Sequence, residues 1–248
     1  MLTMPALSNN LTARERLIVA LDVDSMEEAE RLMVLLKDEV GMFKIGLELF
    51  TSVGPALFEL VRKHGVKVFF DGKFHDIPNT VAGACRAAVR HNVDMFNIHA
   101  LGGAKMMCQA AKATAEAAVG KTRPALIAVT ILTSMDEKTL AEDLKVNVPL
   151  KKMVPYLAGL ARGSGLDGVV ASAQEAPAIR EAVGEDFLIV TPGIRPAFAK
   201  ADDQARIVTP KDAIAGGADY IVVGRPILKA ESPVDAARRV VEELHGAY

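Results

Sequence analysis

Eight short apolar segments alternate with helical patterns along the chain, and this alternation constrains the fold more than any other feature. The segments are rich in β-branched and aromatic residues, and their lengths suit buried parallel strands, which are almost continuously apolar. They cover residues 17–23, 42–47, 67–73, 95–100, 125–132, 168–172, 187–193 and 220–225. The clearest helical patterns lie between them, at residues 25–37, 104–118, 177–183 and 234–244.

Alternating strands and helices imply a parallel sheet. Eight such units in 248 residues match the usual size of a closed (β/α)8 barrel. We therefore predict an α/β protein that forms a single-domain TIM barrel over residues 1–248. A doubly wound open sheet is the main alternative, but no GxGxxG motif follows the first strand. Two long connections, at residues 133–148 and 195–209, would open on the catalytic face as candidate lids.

Composition excludes several classes of function. The net charge is −2, and no block of basic residues suggests nucleic acid or an anionic membrane as a partner. Cys85 and Cys108 belong to no CxxC or Cys/His cluster, so buried free thiols are expected. No apolar run approaches the length of a membrane span, and residues 1–11 do not resemble a secretory signal. These features predict a cytoplasmic location.

The most informative segment is DGKFHDIPNT at residues 71–80. Asp71 ends an apolar strand, and Lys73 lies two residues further, so both side chains should point to the same face of the barrel. Asp76 lies in the turn before the next helix, which Asn79 or Thr80 is expected to cap. Taken alone, this segment is equally compatible with a solvated charged turn.

Charged residues also mark the first two strands. Asp22 ends the first strand, and Lys44 lies inside the second between two apolar residues. A lysine in that position is costly to bury unless it meets a carboxylate, and Asp22 and Asp71 on the flanking strands are the natural partners. Because buried ion networks rarely stabilise a fold efficiently, this cluster indicates a functional site.

The spacing Asp71-x-Lys73-x-x-Asp76 resembles the DxKxxD motif of the orotidine 5′-phosphate decarboxylase superfamily. Other segments resemble the bacterial decarboxylases of that superfamily, in family order: LIVALD at 17–22, FKIGLELF at 43–50, VTILTSM at 129–135, TPGIRP at 191–196 and VVGRPI at 222–227. The resemblance implies a homodimeric decarboxylase of de novo pyrimidine biosynthesis that converts orotidine 5′-phosphate to UMP and CO2. It implies no metal and no organic cofactor.

The resemblance also implies individual roles. Lys73 would protonate C6 of the pyrimidine after CO2 leaves, and Asp71 would lie beside the substrate carboxylate. Lys44 would bridge the carboxylates and the ribose, and Asp22 would bind a ribose hydroxyl. The resemblance also implies contacts across the dimer interface into the partner subunit's site, by Asp76, Ile77 and Thr80. Thr133 or Ser134 would contact the pyrimidine edge. The phosphate would be bound by Arg195, Gln204, Gly224 and Arg225.

Physical reasoning supports the phosphate assignment independently. Loops after strands seven and eight customarily form the phosphate site of a barrel. Gly224 permits close approach of an anion, and Arg225 adds a forked positive charge. His99, at the end of strand four, is expected to have a structural role rather than to transfer a proton. An ordinary helix cap is the alternative role for Thr133.

Two other functions are compatible with the same fold. One is a Mg2+-dependent decarboxylase of a keto-sugar phosphate, or a related aldolase, from the same superfamily. Lys44 argues against it, because an ammonium group is a poor ligand for a hard cation. The other is a non-catalytic protein that binds nucleotide phosphates, which the lysine set between acidic residues does not favour.

Overall fold

The computed structural model describes residues 11–199 and 208–245. Its eight parallel strands close into a barrel in chain order, and the first strand pairs with the last. The predicted (β/α)8 barrel is therefore confirmed, and the open sheet is excluded. The strands are β1 Leu17–Ala20, β2 Met42–Ile45, β3 Val68–Phe74, β4 Met95–His99, β5 Ala125–Val129, β6 Gly168–Val170, β7 Leu188–Thr191 and β8 Tyr220–Val223.

Helices connect the strands and surround the barrel. They are α1 Ala13–Arg16, α2 Met26–Leu36, α3 Leu47–Val53, α4 Ala56–His64, α5 Pro78–Arg90, α6 Gly103–Ala117, α7 Glu137–Glu142, α8 Leu150–Gly163, α9 Ala176–Val183, α10 Pro210–Ala215, α11 Arg225–Leu228 and α12 Pro233–His245. A short 3-10 helix, Ala100–Gly102, precedes α6. The predicted connection at residues 133–148 is partly helical, since it contains α7.

Several predicted boundaries differ from the observed ones at strand ends. Leu47 and Arg225 were placed in strands by their apolar neighbours, but each begins a helix instead. Helix α5 begins at Pro78 with no side-chain cap, so the expectation that Asn79 or Thr80 caps it is wrong. Proline suits the first helical position because its fixed φ is helical and its missing N–H has no partner there.

Alternate residues of the strands fill the interior of the barrel. Side chains such as Ile18, Met42, Phe69 and Met95 form one apolar cluster there, separate from the larger cluster between strands and helices. Because side chains alternate between faces, the next inward positions toward the carboxyl ends carry polar groups instead. These residues are Asp22 just after β1, Lys44 on β2, Asp71 on β3 and Asn97 on β4.

The opposite end of the barrel is held by carboxylates. An aspartate directly precedes each of β4, β6 and β8: Asp94, Asp167 and Asp219. Each carboxylate accepts a hydrogen bond from a backbone N–H of the preceding strand, β3, β5 or β7, at 2.7–2.8 Å. Arg123 and Arg180 pair with Asp167 and Asp219 respectively. These charged hydrogen bonds satisfy backbone groups at the amino ends of strands, which is a structural function.

Both cysteines are free thiols, as predicted, but they differ in exposure. Cys85 is buried, whereas Cys108 on the outer side of α6 is exposed, so the expectation of burial is wrong for Cys108. Burial raises the pKa of the Cys85 thiol to about 11. Within residues 11–199 and 208–245, the helices are all too short or too polar to cross a bilayer.

Candidate active site

Asp71 and Lys73 lie at the carboxyl end of β3, where the strand departs from regular pairing. The register with β4 shifts between Phe70 and Phe74, and Lys73 has a positive φ of 47°. The Lys73 ammonium nevertheless reaches the Asp71 carboxylate, with Nζ 2.7 Å from Oδ1. The predicted common orientation of these two side chains is therefore observed.

Lys44 lies between two carboxylates on the flanking strands, as predicted. Its Nζ is 3.3 Å from Oδ1 of Asp22 and 3.5 Å from Oδ2 of Asp71. Gly46, just after β2, makes room for this ammonium group, since a Cβ at position 46 would lie 2.7 Å from Nζ. A side chain at position 46 would therefore require the Lys44 ammonium group to shift from this position.

Opposing effects set the charge of Asp71. Burial alone would raise the pKa of its carboxyl group, but Lys44, Lys73 and a hydrogen bond from Asn97 outweigh burial and leave the pKa below its ordinary value. Asp71 is thus ionised at neutral pH. The cluster combines two cations with two anions, so its net charge is small although its local fields are strong.

Sequence analysis missed Asn97, which lies on β4 and is only 1% exposed. Its Nδ2 donates to Asp71 Oδ1 at 2.7 Å, and its Oδ1 accepts from the backbone N–H of Lys73 at 2.7 Å. The available signal was a polar amide at an inward position of an otherwise apolar strand. Buried polar groups require partners, so such a residue points to a network.

His99 and His75 lie next to this cluster. Their rings are tilted by 31° with centroids 5.3 Å apart, and His75 is exposed. Burial, followed by the neighbouring His75 and Lys73, lowers the pKa of His99. Among the described residues, the buried Nδ1 of His99 has no hydrogen-bond partner. A neutral ring is consistent with the structural role predicted for His99, which stays a prediction.

A cavity of about 610 Å³ extends from this cluster toward the ends of β7 and β8. Arg195 is buried at its wall, whereas Arg225 is exposed. Gly224 lies against the first strand, because a Cβ there would be 3.2 Å from Asp22 Oδ2. The lining residues are Ala20, Asp22, Lys44, Pro192, Gly193, Ile194, Arg195, Phe198, Ala199, Val222, Gly224, Arg225, Pro226, Lys229 and Ala230.

The cavity thus joins two parts of the predicted site. Asp22 and Lys44 lie at one end, and Arg195 and Arg225 come from the connections after β7 and β8. Lys229 lines the same cavity and was not predicted from sequence, since a lone lysine in a helical connection carries no recognisable motif. Gln204, the remaining predicted phosphate ligand, lies outside the described residues.

Other predicted residues lie apart from the cavity. Asp76, Ile77 and Thr80 are exposed around the start of α5, and Ile77 is 67% exposed. Asp76 accepts a hydrogen bond from the N–H of Ile77 at 2.6 Å, and no ion pair found within the described parts of the chain joins it to Lys73. Thr133 and Ser134 are exposed in the turn after β5. Thr133 does not cap α7, because Asp136 does.

The position of the site defines a class of protein. Active sites of (β/α)8 barrels lie at the carboxyl ends of the strands, and the connections after strands seven and eight commonly hold phosphate. The charged cluster and the arginine-lined cavity occupy this end, so the fold and the site together define a barrel enzyme suited to a phosphorylated substrate.

The chain belongs to the orotidine 5′-phosphate decarboxylase / HUMPS family, whose model matches residues 15–240. It is 52% identical over 232 residues to an orotidine 5′-phosphate decarboxylase from Geotalea daltonii, covering 94% of this chain and 97% of that protein. It is 55% identical over 237 residues to the protein of the same name from Syntrophotalea carbinolica, covering 95% and 97%.

A solved structure agrees with these sequence matches. The crystal structure of orotidine 5′-phosphate decarboxylase from Lactobacillus acidophilus superposes with a TM-score of 0.82 at 37% identity, covering 92% of this chain and 98% of that one. The family match at residues 15–240 includes Asp22, Lys44, Asp71 and Lys73.

Proposed function

We propose that this protein decarboxylates orotidine 5′-phosphate to UMP and CO2, with Lys73 as the proton donor. The observation that carries the proposal is the position of the Lys73 ammonium group, 2.7 Å from the Asp71 carboxylate at the carboxyl end of the barrel. Arg195 and Arg225 lie at the same end, after β7 and β8. Relatives named for this activity, at more than half identity over nearly their full length, support the same substrate.

The chemistry follows from where charge develops. When the bond between C6 and the carboxylate breaks, CO2 leaves and the electron pair stays on C6. Lys73 stabilises this developing negative charge and then transfers a proton from Nζ to C6, which gives UMP. The lysine becomes a neutral amine and regains its proton from solvent. No electron acceptor or donor is required.

Asp71 has two tasks in this proposal. Its ionised carboxylate orients the Lys73 ammonium group before reaction through an ion pair with Nζ 2.7 Å from Oδ1. It also lies where the substrate carboxylate would bind. When neutral CO2 leaves, the negative charge moves from that carboxylate to C6, away from Asp71 and toward Lys73. Lys44, between Asp22 and Asp71, limits that repulsion enough for substrate to bind.

The rest of the cavity suits the rest of the nucleotide. We assign Asp22 and Lys44 to the ribose hydroxyls, and Arg195, Gly224 and Arg225 with Gln204 to the phosphate. Thr133, or its neighbour Ser134, is assigned to the pyrimidine edge. Because the phosphate lies far from C6, its binding energy can orient the ring without taking part in bond breaking.

The geometry argues for chemistry without a metal ion. Lys44 Nζ occupies the space between the Asp22 and Asp71 carboxylates, where a divalent cation would need to bind. A hard cation requires oxygen ligands, and the ammonium already neutralises the two that the site offers. We therefore propose that the reaction needs neither Mg2+ nor an organic cofactor.

We further propose a homodimer in which Asp76, Ile77 and Thr80 complete the site of the partner subunit. Ile77 is a large apolar side chain that is 67% exposed at the rim of the barrel. Leu47 and Leu101, which follow β2 and β4, are also exposed at this rim. A two-fold contact would bury these apolar groups and bring each Asp76 toward the opposite Lys73. Free thiols at both cysteines suit a reducing cytoplasm.

The test is an absorbance assay for the loss of orotidine 5′-phosphate by the purified protein, with and without a chelator. We expect turnover that chelation does not change. A Mg2+-dependent turnover of a keto-sugar phosphate, with none of orotidine 5′-phosphate, would instead identify a different activity in the family. Tight UMP binding without turnover would identify a binding protein.

A further inference from the structure

We propose that Asn97 is a positioning residue for this reaction: a single buried amide holds both the carboxylate of Asp71 and the backbone of Lys73. The inference rests on the proposed decarboxylase function, because it assigns a role within that site. Asn97 is buried and contacts Asp71 and Lys73 directly, so it acts through these two residues.

The contacts of Asn97 use both ends of its amide. Nδ2 donates to Asp71 Oδ1 at 2.7 Å, and Oδ1 accepts from the Lys73 N–H at 2.7 Å. The orientation of the amide follows from chemistry, because a backbone N–H can only donate and an ionised carboxylate can only accept. The oxygen must therefore face Lys73 and the NH2 group must face Asp71.

The cost of placing an amide here indicates that the contacts matter. Asn97 is 1% exposed, and its neighbours on β4, Phe96 and Ile98, are fully buried. An amide without partners at this position would destabilise the fold, so its two contacts offset the cost of its burial. The inward residue paired with Asn97 on β5 is the apolar Ile127, so the amide is matched to the charged residues of β3 and not to the β5 side of the barrel.

The backbone of Lys73 needs this support. A φ of 47° is unfavourable for a residue with a side chain, and β3 loses its regular pairing with β4 at this point. The bond from the Lys73 N–H to Asn97 replaces the missing ladder contact. It fixes the main chain in the conformation that directs Nζ back to Asp71, and hence toward the reacting carbon.

The second contact restrains Asp71. Oδ1 of Asp71 receives both Asn97 Nδ2 and Lys73 Nζ, while Oδ2 faces Lys44. With two of these contacts directed at one oxygen, the carboxylate has little freedom to rotate. Removing the amide would loosen the carboxylate and, through the backbone, the ammonium group that it orients.

Two variants separate the two halves of this role. Asn97→Ala removes both contacts. Asn97→Asp keeps an acceptor for the Lys73 N–H but places a second carboxylate against Asp71. We expect kcat to fall by about tenfold to a hundredfold in Asn97→Ala and at least as far in Asn97→Asp, with UMP affinity within about threefold of wild type. Ile98→Val, on the helix-facing side of the same strand, is the matched control and should keep kcat within about twofold.

A readout independent of turnover tests the positioning role directly. The carboxyl carbon of Asp71, assigned with an Asp71→Asn sample, is followed by 13C NMR as pH is lowered. The charged groups facing it are Lys44 and Lys73, with His99 nearby on β4. Since Asn97 donates to the ionised form, Asn97→Ala should raise the pKa of Asp71, and Asn97→Asp should raise it further.

The outcomes distinguish the two proposals. An inactive wild type with a shifted Asp71 titration in Asn97→Ala overturns the decarboxylase function but supports the role of Asn97 in holding the pair. An active wild type whose kcat and Asp71 titration are unchanged by Asn97→Ala overturns the positioning role. A fall in kcat matched by Ile98→Val at equal thermal stability also overturns it.

Discussion

The ammonium group of Lys73 lies 2.7 Å from the carboxylate of Asp71, although a single glycine separates the two residues along the chain. Both groups are supplied by one strand, at a point where its pairing shifts. Their mutual position therefore depends on the local conformation of β3 and on Asn97 of β4, which contacts both residues. Substitutions at this pair should affect the chemical step most strongly.

Lys73→Ala is expected to abolish decarboxylation while leaving the barrel folded. The substitution removes the proposed proton donor and the positive charge beside C6, whereas Asp71 keeps its contacts with Lys44 and Asn97. Steady-state turnover, circular dichroism and UMP binding measure the three properties. Turnover within tenfold of wild type would remove Lys73 from the role of proton donor.

Arg225→Ala is expected to weaken use of the nucleotide but not of the nucleoside. A charged hydrogen bond is worth about 1.5–3 kcal/mol, so kcat/KM for orotidine 5′-phosphate should fall by about tenfold to a hundredfold or more. Orotidine lacks the phosphate, and its slow residual turnover is the matched control. If both substrates were equally affected, Arg225 would support the barrel instead of binding phosphate.

Gly46→Ala is expected to displace Lys44. The added Cβ would lie 2.7 Å from Nζ, so the flexible end of the Lys44 side chain must shift from its place beside Asp22. We expect kcat/KM to fall by about tenfold or more, since charged hydrogen bonds are lost. Gly159→Ala in α8, where a Cβ meets no atom within 4 Å, is the control. If both variants were equally active, the reaction would not require the Lys44 ammonium group to stay in its observed position.

The stability that Asp71 contributes should depend on pH in a defined direction. Its pKa is lowered in the folded protein, so the contribution is fully present above the ordinary carboxyl pKa and is lost as pH falls through the folded value. Asp71→Asn cannot ionise. The difference in Tm between wild type and Asp71→Asn should therefore be constant from pH 7 to about 5 and narrow below about pH 4. A difference that widened as pH fell below 4 would contradict the lowered pKa.

Mixing of subunits tests the shared site. Lys73→Ala and Asp76→Ala chains should each be nearly inactive alone, because each homodimer carries the same defect in both sites. In a mixed dimer, one site receives both defects and the other receives neither. After random exchange of subunits, about half of the dimers contain one chain of each variant, and each of these has one intact site out of two. Activity should therefore recover to at most about a quarter of the wild-type value.

The mixing experiment has one control, which is a tagged subunit that verifies exchange between dimers. If exchange is verified, both parents are inactive and the mixture does not recover, then Asp76 serves its own chain. A protein that stays monomeric in sedimentation while fully active would exclude the dimer altogether.

The sequence by itself determined the architecture and the main charged residues. Apolar runs of strand length, separated by helical patterns, leave few alternatives to a closed parallel barrel in a chain of this size, because buried parallel strands must be apolar on both faces. The alternation of side chains along a strand placed Asp71 and Lys73 on one face, and the cost of burying Lys44 indicated its carboxylate partners. These are local rules, so one sequence sufficed to apply them.

Only the tertiary structure decided how those residues are held. Asn97 contacts Asp71 and Lys73 across 26 and 24 positions of the chain, and no local pattern links an amide on β4 to the distorted end of β3. The same holds for Gly46: only the folded chain shows that a Cβ at this position would lie too close to the Lys44 ammonium group. The helix starts at Leu47 and Arg225 were also not predicted, because the apolar residues before them continue the strand pattern. Register and side-chain packing arise from contacts distant in sequence, so they become visible only once the strands are brought together.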